Sequence, residues 1–291
     1  MKLIFILMLL SINLFAKPFI HTEMEKAIKQ NERIIQNKKA FKNWVIIDGK
    51  RYWTGFNPTS EFYQNATFLN FKADPEIELP KSFDIRKNSH SPVRGQIQGS
   101  CWAEGSASAF ELTWNFIKQA KLVFGVNDVI DCSGFGTAAN GGQLSLEYAT
   151  KKGLAYESDY KYTGRDGRCK KDVERHLPLK SAPYLRGENG GFPTEQELMA
   201  AAYKYGAMEV CGSASALGSG GRQDIPKGGA TNHCYAYAGW LDGKEMGWLD
   251  AKYHIIKNSW GDGSNSPLNL SGGDWCDKWP CFRCYLVSQT V

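Results

Sequence analysis

The sequence predicts an α+β chain, with helices leading and strands gathered toward the end, on three observations. After Cys101 the stretch WAEGSASAFELTWNFIKQA contains no proline and places Ala103, Ala107, Phe110, Trp114 and Ile117 at helical spacing. Thr194 followed by Glu197 has the form of a capping box, with Pro193 just before it, which predicts a helix over Thr194–Tyr205. Short apolar runs at Ala207–Cys211, Cys234–Trp240 and Tyr253–Ile256 then read as strands of a sheet.

Taken in order, the elements begin with Met1-Lys2 and the apolar run LIFILMLLSINLFA, ending at Ala16 before Lys17. A short basic start, an apolar core and a small residue form a secretory signal over residues 1–16. The run is short for a spanning helix and is interrupted by Ser11 and Asn13, although an uncleaved anchor is the alternative reading. Residues 17–78 follow, with Met24, Ala27, Ile28, Ile34, Ile35 and Phe41 near helical spacing over His21–Trp44. A glycine and aromatic stretch and then Asp74-Pro75-Glu76 close that segment. A second helical stretch is expected over Gly142–Lys152, and no internal repeat is visible.

Composition sets broad bounds. A chain of 291 residues with 42% hydrophobic and 22% charged residues has enough apolar material for a large core, in one or two domains. The net charge of +5 is not gathered into a basic run, which argues against nucleic acid as a partner and for a solvated basic face. Beyond the first residues no segment has the length to insert stably in a membrane.

The chemistry lies in Gln98-Gly99-Ser100-Cys101-Trp102, Asn232-His233 and Asn258-Ser259-Trp260-Gly261. Cys101 precedes the predicted helix, whose positive N-terminal end favours a thiolate. An imidazolium beside it would favour the thiolate further, and His233 is the candidate. Its second ring nitrogen needs an acceptor, which the side-chain oxygen of Asn258 can supply. Taken singly, a cysteine is more often a small buried hydrophobe and a histidine a structural one. The joint pattern is what points to nucleophilic thiol catalysis.

Four further stretches occur in the order found in papain and the cathepsins. Leu79-Pro80-Lys81-Ser82-Phe83-Asp84-Ile85-Arg86 resembles the start of a mature cathepsin, and Val129-Ile130-Asp131-Cys132 the segment ending in a disulfide cysteine. Asn140-Gly141-Gly142 resembles the glycine pair beside bound peptide, and Ile256-Lys257-Asn258-Ser259-Trp260-Gly261 the stretch with the catalytic asparagine and its shielding tryptophan. The chain therefore resembles the papain-like cysteine peptidase family over about residues 79–262, with its closest likeness to the cathepsin X branch. The histidine-bearing small loop of that branch is missing here, so whether the action is endo- or exopeptidase stays open.

The resemblance implies a papain-like two-lobe fold, a mainly helical lobe over about 79–188 and a sheet or barrel-like lobe over about 189–291, with the active site in the cleft between them. It implies catalytic roles for Cys101, His233 and Asn258, and an oxyanion-binding glutamine at Gln96, with Gln98 as the alternative. Gly141, Gly142, Leu144, Cys211, Cys234 and Trp260 would line the substrate site. Cys132 would pair with Cys169, while a second family bridge has no partners here, since its positions hold Ala139 and Ile97 or Gln98. Residues 17–78 would be a propeptide of the short kind, acting as the enzyme's own inhibitor until it is cut away near Leu79, or else a permanent N-terminal subdomain. The substrate would be a peptide or protein, with no metal or other cofactor, and the location secreted, periplasmic or lysosome-like.

Departures from the family pattern carry their own expectations. Glu104 stands where relatives have an aromatic residue, and reads as a first-turn carboxylate suited to the helix dipole, with an effect on the Cys101 thiolate as the alternative. Cys211 and Cys234 are expected close together, as thiols or as a bridge. Cys276, Cys281 and Cys284 form a weak zinc signal, and a local disulfide with one spare thiol is the preferred reading. Two other functions share these features: a catalytically silent peptide-binding homologue, and a thiol amidase or transpeptidase acting on cell-wall peptides.

Overall fold

The structure is a computed structural model. It describes residues 44–47, 49–55, 67–134, 136–137, 145–176, 179–181, 183–190, 193–212, 214, 222–223, 232–247, 252–261, 269–272, 286–287 and 289–290. The signal-like residues 1–16, the periodic stretch before Trp44, Gly141, Gly142, Leu144 and the three late cysteines Cys276, Cys281 and Cys284 lie outside the described residues.

The helix predicted after Cys101 is α1 (Cys101–Lys118). Its small residues decide where it sits. A Cβ on Gly105 would come within 3.0 Å of the Tyr235 amide nitrogen, so only glycine lets the helix lie this close to a strand backbone. That strand is β9 (His233–Asp242), whose residues are buried over nearly its whole length. Trp102, Phe110 and Leu112 on α1 are sealed from solvent, each contributing about 1.5–3 kcal/mol of burial. Helices α2 (Val126–Cys132) and α3 (Ser145–Lys152) complete the helical side, where Phe110 meets Phe124 at 4.6 Å between ring centroids.

The sheet side is built on β9. Its partners are β7 (Met208–Gly212) and β10 (Lys252–Lys257), both antiparallel to it. These strands show as short apolar runs in the sequence because they are buried on both faces. The sheet extends through β11 (Asn269–Gly272) to β8 (Arg222–Gln223) on one side, and through β12 (Leu286–Val287) and β6 (Tyr184–Gly187) to β3 (Phe68–Phe71) on the other. β4 (Phe83–Asp84) adds to β9 off that path. Strands β4 and β6 thus enter the sheet from the stretch before residue 189. Two small pairs stand apart, the hairpin of β1 (Trp44–Ile47) with β2 (Lys50–Trp53), and β13 (Gln289–Thr290) with β5 (Leu179–Ser181). Helix α4 (Glu195–Tyr205) packs on the sheet, and its Thr194–Glu197 capping box is formed in both directions.

Buried ion pairs fasten the loops to this frame. Arg94, in the loop before Cys101, reaches Glu111 on α1 at 2.5 Å, and Glu111 also accepts the amide of Phe124 and the hydroxyl of Ser91. With so many donors the buried carboxylate is satisfied. On the helical side Arg175 pairs with the buried Asp128 at 2.7 Å, and a disulfide joins Cys132 to Cys169. Among the described residues no helix is long and apolar enough to cross a membrane.

Candidate active site

Cys101 is the first residue of α1, with Ser100 as its N-cap, and is fully buried where the helix abuts the sheet. His233 opens β9 on the facing side and is equally buried. Asn258 follows directly after β10, and its side-chain oxygen lies 2.7 Å from Nε2 of His233 while also accepting the Ser259 amide at 2.8 Å. A carbonyl oxygen can only accept, so Nε2 carries the proton and donates. Nδ1 of His233 has no hydrogen-bond partner, which leaves that nitrogen free for a proton transfer. Trp260 stacks on the imidazole, with ring centroids 4.7 Å apart.

The glutamine loop is fixed to the same strand end. Gly95 forms a backbone bridge with Trp260, the Gln96 amide donates to Ser259 O at 2.6 Å, and the Gly261 amide donates to Arg94 O at 3.0 Å. The Gln96 side chain is buried, with its oxygen accepting from Ser259 Oγ at 3.2 Å and its Nε2 donating to Gln98 O at 2.8 Å. Since a primary amide has two N–H groups, one remains for a ligand. Gln98 turns away: its side-chain oxygen accepts from Thr137 Oγ1 on the helical side, and its backbone takes a positive φ of 62°.

The N-terminal segment lies over this site. Tyr52 lies tilted against Trp260 with ring centroids 4.6 Å apart, Trp53 O accepts the Trp260 indole N–H at 3.1 Å, and the Gly55 amide donates to Asn232 O at 3.0 Å. A Cβ on Gly55 would fall 1.8 Å from Gly99 O, so only glycine permits the segment to lie this close to the nucleophile loop.

Burial sets the protonation states. It pushes the Cys101 thiol up to about 12, helped by the Glu209 and Glu104 carboxylates and opposed by the backbone amides of Cys234 and Gly55. Burial also holds His233 down to about 4, against the Asn258 hydrogen bond. In this covered form both groups are neutral.

Cys211 and Cys234 face each other across β7 and β9 and are joined in a disulfide, with Cα atoms 4.0 Å apart. Of the two alternatives, thiols or a bridge, the structure has the bridge. Glu209 lies beside it, accepting from Ser106 Oγ at 2.6 Å. Glu104 stands in the first turn of α1, as expected, but is fully buried, and Ser100 Oγ and Tyr162 both donate to it. Its link to Tyr162 carries no sequence signal, because the partners lie far apart in the chain. Gly141, Gly142 and Leu144 cannot be placed against the site, being outside the described residues.

A helical layer and a twisted sheet meeting at a helix-borne cysteine and a strand-borne histidine make this a papain-like two-lobe α+β fold. The chain belongs to the papain family of cysteine proteases, whose family profile, "Papain family cysteine protease", matches residues 79–266. Among similar proteins, a cysteine proteinase 2 of Entamoeba histolytica is 32% identical over 228 residues, covering 70% of this chain and 65% of that one. Cathepsin S of Bos taurus is 30% identical over 218 residues, covering 69% and 61%. The chain spans 42% of a Theileria annulata cysteine proteinase and 36% of a Paramecium tetraurelia cathepsin L 2. Digestive procathepsin L 3 of Tenebrio molitor superposes with a TM-score of 0.61 at 19% identity, covering 91% of this chain and 89% of that one. The bromelain protease of Ananas comosus, in complex with the E64 inhibitor, gives 0.61 at 21% identity, covering 73% and 100%.

Proposed function

We propose that this chain is an exported cysteine peptidase, made as an inactive precursor, that hydrolyses peptide bonds through Cys101 and His233. The observation that carries this reading is the imidazole held at Nε2 by Asn258 and unpartnered at Nδ1, together with a cysteine at a helix N-terminus whose sulfur meets the backbone amide of Cys234, the residue after His233. In the reaction Nδ1 takes the Cys101 proton, and the thiolate attacks the scissile carbonyl. The free N–H of Gln96 meets the developing oxyanion. The imidazolium returns its proton to the leaving amine as the C–N bond breaks, giving an acyl-enzyme thioester. Water, deprotonated by His233, then attacks the thioester, releasing the acid and restoring the thiol.

Residues 17–78 act in this reading as a propeptide, consistent with Tyr52, Trp53 and Gly55 lying across Trp260 and the nucleophile loop. The two disulfides among the described residues suit an oxidising compartment, as does the signal-like N-terminus. The Cys211–Cys234 bridge would form one wall of the pocket for a substrate side chain. Turnover of dipeptidyl fluorogenic substrates by the processed chain, measured against Cys101→Ser, tests the proposal. Turnover lost in the variant supports it, whereas binding without turnover by the unaltered chain would make this a silent homologue. Products formed with added amine acceptors in place of free acid would make it a transpeptidase.

A further inference from the structure

The carboxylate of Glu104 lies one turn along α1 from Cys101 and has no ion-pair partner among the described residues. Two hydroxyls donate to its Oε1, that of Ser100 at 3.0 Å and that of Tyr162. Its Oε2 is buried with no partner at all. Each of those hydroxyls has one hydrogen and also a second acceptor within reach. For Tyr162 it is Gly95 O at 3.4 Å, and for Ser100 it is Ile97 O at 3.3 Å. These two carbonyls flank Gln96. Both distances are long for a hydroxyl bond, as expected while the hydrogens point at a carboxylate, the stronger acceptor. The Tyr162 oxygen meanwhile accepts the Ile97 amide at 3.4 Å.

We propose that Glu104 is a positioning residue whose protonation releases the hydroxyl hydrogens of Tyr162 and Ser100 to the loop carbonyls on either side of Gln96. This rests on the peptidase reading for its consequence in catalysis, but not for the rearrangement itself. When Glu104 is ionised, Tyr162 donates to it and holds the loop only through the Ile97 amide. When Glu104 is neutral, its own O–H donates to the Tyr162 oxygen. The phenol hydrogen then turns to Gly95 O, and Tyr162 grips the loop on both sides of Gln96. The neutral acid is also a weaker acceptor for Ser100, which frees that hydroxyl for Ile97 O.

The surroundings place this change near neutrality. Burial raises Glu104 to about 7, opposed by Tyr162, by Arg94 from the glutamine loop, by Ser100 and by Lys257 at the end of β10. Arg94 is itself paired with Glu111 and Glu157, and Lys257 donates to Pro92 O and Ser108, so neither forms an ion pair with Glu104. Cys101, on the same helix, experiences the Glu104 charge directly. Lower pH should therefore give the tighter oxyanion loop.

The full chain carrying Cys101→Ser, labelled with ¹⁵N, allows a test that needs no activity. The Gln96 and Ile97 backbone amides should titrate with one midpoint near pH 7, and that titration should vanish in Glu104→Gln, whose amide mimics the neutral acid. A titration that persists in Glu104→Gln, or none in the parent, overturns the proposal. In the processed enzyme kcat should fall about 3- to 10-fold between about pH 6 and pH 8, with KM little changed, the size of one hydrogen bond. Glu104→Gln should keep the low-pH value throughout, and Tyr162→Phe the high-pH value. Intact amide titration, with no turnover by the processed chain that keeps Cys101, would sink the peptidase reading and leave the Glu104 rearrangement standing.

Discussion

At the scale of single residues, Gln96 and Gln98 show how neighbouring side chains of one type come to differ. Gln96 is held by Ser259 at its oxygen and keeps one N–H free, whereas Gln98 faces Thr137. Gln96→Ala should accordingly lower kcat about 10²- to 10³-fold with little change in KM, the cost of one oxyanion donor. Gln98→Ala should cost far less, and the reverse order in steady-state kinetics would reassign the role. Cys101, His233 and Asn258 were legible as candidates because each residue type suits one step of thiol chemistry and has a characteristic neighbour in the chain. The surroundings of Glu104 were not. First-turn acids usually face solvent, and nothing local announces that Tyr162 will fold over this one.

At the scale of elements, the long helix and the three central strands were legible because burial imprints a period or an apolar run on the sequence. Strands β4, β6 and β12 were not, since two to four residues paired with distant partners leave no periodic trace. The meeting of β7 and β9 illustrates what such pairing produces. It places Cys211 opposite Cys234 and encloses Glu209 beside them. Burial raises the Glu209 carboxyl to about 8, against the Ser106 hydrogen bond, from an ordinary value of 4.5. A folded-state pKa above the unfolded one means the folded chain holds the proton more tightly. Its contribution to stability is complete below about 4.5 and is lost as pH rises through about 8. Glu209→Gln, which keeps the shape and removes the charge, should flatten that decline. Thermal unfolding of both forms across this range is the check, and parallel Tm curves would count against a buried, proton-binding Glu209.

At the scale of the whole molecule, the N-terminal segment is tied down at two separate places. β3 runs parallel to β6 at the far end of the large sheet, while Tyr52, Trp53 and Gly55 reach the mouth of the site. Cover at the mouth depends on the closest of these contacts, Gly55 against Gly99 O, where even one methyl group overlaps. Gly55→Ala should lift the segment from the nucleophile while β3 stays paired, because the two attachments are independent. Water then reaches Cys101, the desolvation that holds its thiol neutral weakens, and thiolate becomes accessible near neutral pH. Alkylation of Cys101 by iodoacetamide in the uncut chain should speed up about tenfold or more, corresponding to about 1.4 kcal/mol of lost cover. Once the segment has been cleaved away, the variant and the unaltered chain share the same mature sequence, so their alkylation rates must coincide. Equal rates before cleavage would mean that Gly55 does not shield the thiol, and would remove the main support for an inhibitory role of residues 17–78.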